Sequence, residues 1–84
     1  MRVHALGLIG DNMTGQIVQL DRRGWGEIRS SGLPWRIRFD SGALVDIPLA
    51  EALGLEVEFD VLSIEGRTRA VHVRRTATEP AGVT

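Results

Sequence analysis

The side chains in this sequence that could do chemistry are guanidinium groups and indoles. All ten basic residues are arginine, and both tryptophans, Trp25 and Trp35, fall inside the stretch from Arg22 to Arg38. A guanidinium forks onto phosphate oxygens and stacks on planar rings, and an indole offers a base a broad face, so the combination suits a single polyanionic strand. That stretch holds Arg22, Arg23, Arg29, Arg36 and Arg38 against Glu27 alone. From Asp40 to Glu65 the seven charges are all acidic, and from Arg67 to Arg75 four arginines stand without an acid. A net charge of −1 conceals this basic, acidic, basic order.

Other chemistries find little support. Without cysteine there is no disulfide framework, thiolate metal site or thiol nucleophile, which fits a reducing compartment. His4 and His72 are the only imidazoles, and neither has acidic neighbours at metal-ligand spacing, so no metal site is expected. Ser30, Ser31, Ser41 and Ser63 lie in turn-like contexts without a nucleophile-elbow pattern, so no catalytic residue is expected. Gly24-Trp25-Gly26 is too short for a dinucleotide loop and no helix follows it, so no cofactor or small-molecule substrate is expected. The longest apolar run, Ala5 to Gly10, is far below the roughly 20 residues of a membrane span and shorter than a signal-peptide core. The expected setting is cytoplasmic, away from membranes.

The elements that must position the arginines read as strands. Eighty-four residues at 43% hydrophobic and 25% charged fit one small globular domain. Residues 1–12 lack a usable period and end in the turn-like pair Asp11-Asn12, which predicts an N-terminal extension. Residues 13–75 form the domain, and residues 76–84, small, polar and proline-containing, read as a flexible tail. Short glycine-punctuated segments at about ten-residue spacing predict an all-β sandwich or barrel. Strands are placed near Gln16 to Leu20, Gly26 to Arg29, Trp35 to Phe39, Leu55 to Leu62 and Arg69 to Arg74. In the third, Trp35, Ile37 and Phe39 alternate with Arg36 and Arg38, giving one apolar and one cationic face and placing Trp35 in the core. In the fourth, Leu55, Val57, Phe59 and Val61 alternate with Glu56, Glu58 and Asp60. Pro48 to Leu53, followed by Gly54, predicts a helix of one or two turns. Asp40-Ser41-Gly42 is turn chemistry, after which Ala43 to Ile47 could pair back on the third strand as a hairpin arm. Trp25 lies between glycines that leave its faces open.

Several segments, in order, resemble the cold-shock domain. Met13 to Val18 is similar to that family's opening strand, Arg23-Gly24-Trp25-Gly26-Glu27-Ile28 to its first ribonucleoprotein motif, and Trp35-Arg36-Ile37-Arg38-Phe39 to its second. Gly54 to Val61 and Arg69 to Val73 are similar to its fourth and closing strands. The first motif is also similar to that of the RRM, but this chain lacks the two long helices of that fold. The resemblance implies a small five-stranded antiparallel OB-fold barrel, with the third strand beside the fifth, that binds single-stranded RNA or DNA. It implies stacking on Trp25 and Phe39, and phosphate contacts from Arg23, Arg29, Arg36, Arg38 and Arg69. Gln19 and Leu20 replace two of the family's aromatic rings, Glu27 a third, and Arg36 and Arg38 a phenylalanine and a histidine. A face so poor in rings implies weak, salt-sensitive and poorly sequence-selective binding. The alternative is a barrel of the same kind that has lost nucleic-acid binding and serves as a protein-interaction or regulatory module, meeting a charged protein partner or a second copy of itself.

Overall fold

The computed structural model describes residues 6–76, which form a single antiparallel sheet and two short helical turns. The strands are β1 (Leu6–Asp21), β2 (Trp25–Arg29), β3 (Ile37–Asp40), β4 (Glu56–Ile64) and β5 (Arg67–Arg75). A 3-10 turn over Ser41–Ala43 and a helix, α1 (Leu49–Ala52), lie between β3 and β4. The order across the sheet is β3-β2-β1-β4-β5.

One long strand organises the whole. β1 pairs with β4 from Leu6↔Ile64 to Gln16↔Glu56, then with β2 from Gln16↔Arg29 to Asp21↔Trp25. The handover needs close backbones, and Gly15 permits it: a Cβ there would lie 2.6 Å from the Arg29 carbonyl oxygen and the Ile28 side chain. β3 then packs against β5. Just past β3, Leu44 forms a parallel bridge to Val73, and the Val45 N–H donates to the Val73 carbonyl at 2.8 Å. The sheet thus curls into a small five-stranded barrel of OB type, which pairs most strand edges internally.

Period-two alternation fills this barrel. Ile17, Ile28, Ile37, Phe39, Val57, Phe59, Val61, Ala70 and Val73 point inward from the five strands, and Ile47 and Ala52 join them from the connection that carries α1. α1 follows Pro48 and ends where Gly54 adopts a φ of +89°, as its flanking residues predict. The Gly54 N–H donates to the Ile17 carbonyl and the Ile17 N–H to the Leu55 carbonyl, tying the helix to β1.

Three expectations change. Residues 6–12 belong to β1 and not to an extension; Asp11-Asn12 makes a bulge instead of a chain reversal. Asn12 takes the left-handed conformation that asparagine tolerates (φ 51°), and its N–H donates to Asp60 Oδ1 at 3.0 Å. The segment from Ala43 to Ile47 is not an arm on β3, because the chain must cross there to β5 to close the barrel. Trp35 lies outside the core, 61% exposed, because β3 begins only at Ile37 and Leu33 supplies the apolar contact before it. Residues 1–5, from the expected extension, and 77–84, from the expected tail, lie outside the described residues.

Candidate nucleic-acid interface

The outer surface of the β2–β3 hairpin carries most of the expected site. Along β2, Gly26 and Ile28 turn inward, while Trp25, Glu27 and Arg29 face out; along β3, Ile37 and Phe39 turn inward and Arg38 and Asp40 face out. Register sets Glu27 opposite Arg38 and Trp25 opposite Asp40, which leaves Arg38 diagonal to Trp25. The Arg38 guanidinium lies 4.0 Å from the Trp25 ring centroid, a cation–π contact. The β1–β2 turn brings Trp25 there: Gly24 adopts a φ of +100°, its N–H donates to the Asp21 carbonyl, and the Arg23 N–H donates to Asp21 Oδ1.

Phe39 is not on this surface. It is fully buried, with its ring beneath Gly26, where a Cβ would lie 2.6 Å from Phe39 Cζ. The alternation of β3 therefore overrides the stacking role implied by the motif, and the expected site loses that ring. Arg36 donates to Glu27 Oε1 at 3.4 Å, so the carboxylate on the expected strand path is already compensated. Arg23, largely exposed, pairs with Asp21 at 3.4 Å. Arg29 is exposed and has no ion pair among the described residues.

Arg69 does not join this group. β5 lies beside β3, but the Arg69 guanidinium donates to the Thr68 carbonyl at 3.2 Å and lines a separate depression with Asp40 and His72. Arg74, on the same strand, turns to the acidic strand, 3.7 Å from Glu58 Oε1 and 3.6 Å from Asp60 Oδ1. It also donates to the His72 carbonyl and to Asn12 Oδ1. His72 Nδ1 lies 3.0 Å from Asp60 Oδ2. The Asp60 carboxyl is held at a pKa of about 2, first by the Asn12 N–H and then by His72. The basic and acidic strands here neutralise each other.

A feature missed in the sequence lies at the other end of β2. An open cleft of about 590 Å3 runs between β1, the end of β2, the loop before β3 and the start of β4, with Arg29, Trp35 and Arg36 among its lining residues. The loop is pinned. Buried Ser30 donates through Oγ to the Thr14 carbonyl at 2.6 Å and accepts from the Gly32 N–H, and the Leu33 N–H closes a turn onto the Ser30 carbonyl. Pro34 then fixes the backbone immediately before Trp35. That proline is the signal that could have marked Trp35 as a loop residue.

Among the described residues no three potential ligands gather to hold a metal ion, and no helix is long and apolar enough to cross a membrane. No protein-family model matches the chain, and no curated protein matches its sequence.

Proposed function

We propose that this protein is a divergent cold-shock-like barrel that binds single-stranded RNA or DNA through the outer face of β2 and β3, weakly, with steep salt dependence and little sequence selectivity. The observation that carries this reading is the Arg38 guanidinium lying over Trp25 on the outer face of the barrel. A guanidinium held flat by an indole presents its other face for a base to stack on, while its edge N–H groups reach phosphate oxygens. Arg29, without an ion pair among the described residues, adds a second phosphate contact, and Arg36 a third that must compete with Glu27.

Stacking is worth about 1–3 kcal/mol per base, so a face with one ring on its strands depends mainly on phosphate contacts. Three to four neutralised phosphates give a salt slope of about −2 to −3 for a single strand, or roughly a 20- to 50-fold loss of affinity between about 50 and 200 mM salt. Fluorescence anisotropy of labelled single-stranded DNA and RNA at those two salt concentrations tests this, beside an Arg36→Ala/Arg38→Ala variant. Micromolar binding that weakens steeply with salt and is lost in the variant supports the reading. No binding even at low salt overturns it and turns the search to a protein partner.

A further inference from the structure

We infer that the Trp35 cleft is a second stacking position, about 13 Å along β2 from the Trp25–Arg38 pair, which takes one nucleotide of the bound strand and favours bases bearing an exocyclic amine. The spacing is four residues of β2, from Trp25 to Arg29, at about 3.3 Å each. The inference rests on the proposed function for the strand and on separate observations for the cleft.

Trp35 is held out in water by construction. Ser30, the Ser30–Leu33 turn and Pro34 fix its loop, and Leu33 already fills the inward position, so its indole has no place in the core. A large ring on a pinned loop binds a flat partner without first paying to order itself. Arg29 lines the same cleft, lacks an ion pair among the described residues, and can take the phosphate attached to a stacked base. The volume, about 590 Å3, lies in the roughly 300–1,000 Å3 range of small-ligand sites and leaves room for one nucleotide. Glu56, at the start of β4, lines the cleft too, and its carboxylate forms no ion pair among the described residues. A carboxylate accepts from the exocyclic amine of adenine, cytosine or guanine, whereas uracil and thymine offer it only an N3–H flanked by two carbonyl oxygens that repel it. Stacking by Trp35, phosphate contact by Arg29 and amine recognition by Glu56 together describe a nucleotide.

The test uses the intact chain. In a Trp25→Phe variant Trp35 is the sole tryptophan, so its emission reports the cleft alone. Millimolar AMP should quench it saturably and UMP several-fold more weakly, and Arg29→Ala in the same background should abolish the effect. Glu56→Gln should erase the difference between AMP and UMP. Trp35→Ala, at an exposed position, should leave the thermal midpoint unchanged and lower affinity for a labelled single strand about tenfold. No saturable quenching by AMP, with strand affinity unchanged in Trp35→Ala, overturns the inference even where Arg38→Ala weakens strand binding and the proposed function stands. Saturable quenching beside a strand affinity indifferent to Arg38→Ala supports the cleft as a nucleotide site and overturns the role of the β2–β3 face.

Discussion

The β2–β3 hairpin and the β4–β5 hairpin both carry arginines outward, yet they use them in opposite ways. On β4–β5, Arg74 stands opposite Glu58 in antiparallel register and reaches Asp60 diagonally, and its guanidinium is shared among these carboxylates, Asn12 and the His72 carbonyl. On β2–β3, Arg38 stands opposite Glu27 but lies over Trp25 diagonally, while Arg36 takes the carboxylate. The same side chain is structural where the facing strand is acidic and available where a ring faces it. Charge counted along the sequence does not distinguish the two, and neither does the directly opposed residue, a glutamate in both cases; the diagonal neighbour does, Trp25 for Arg38 and Asp60 for Arg74.

Phe39→Ala gives the largest expected effect. The site it vacates under Gly26 is fully buried, so unfolding free energy should fall by about 3–5 kcal/mol in urea titrations. A loss below about 1 kcal/mol would return Phe39 to the surface and restore the stacking role that the motif implies. Next in size is Asp60→Asn, expected to cost roughly 1–2 kcal/mol near neutral pH. Because the folded carboxyl titrates at about 2, below its ordinary 3.8, its contribution is complete above the ordinary carboxylate range and is lost as pH falls through about 2. Wild type and variant should therefore converge in stability at the acid end, and a constant gap would mean that shape and not charge holds the bulge.

Arg38→Ala and Arg74→Ala then divide the two regions directly. Arg38→Ala should lower affinity for single-stranded oligonucleotides about fivefold to tenfold with little change in stability, and Arg74→Ala should reverse that pattern. Equal effects on binding would erase the contrast. Smallest is Glu27→Gln, which frees Arg36 and removes one negative charge from the face. It should raise oligonucleotide affinity about twofold to threefold at low salt, with the gain fading at high salt.

Much of the barrel was legible because alternation is a local property. Ile37 and Phe39 against Arg36 and Arg38, and Val57, Phe59 and Val61 against Glu58 and Asp60, name their faces without any partner strand. Pro48 and Gly54 bracket α1 in the same local way. β1 was half hidden because its register shifts near Gly10 and Asn12 break the period that would reveal it. The candidate site was less legible, for three separate reasons. Phe39 obeys its strand and not the motif. Trp35 sits two residues before β3, where hydrophobicity alone points to the core. Arg69 and Arg74 follow acceptors supplied by β4 and by their own backbone, which the adjacency of β3 and β5 does not convey.

The closure between Leu44 and Val73 bears on how the barrel breathes. β1 has ladders to β4 and β2, β2 to β1 and β3, and β4 to β1 and β5, whereas among the described residues the seam between the β3 side and β5 is held by packing, one parallel bridge and the Val45–Val73 hydrogen bond. Sub-global opening should therefore begin at this seam, so that the Val45 amide exchanges with solvent deuterium well before that of Ile17. The leaf that swings outward in such an opening is the hairpin carrying Trp25 and Arg38. The proposed contact surface would then adjust its curvature to an irregular strand while the β1–β4–β5 ladder stays zipped.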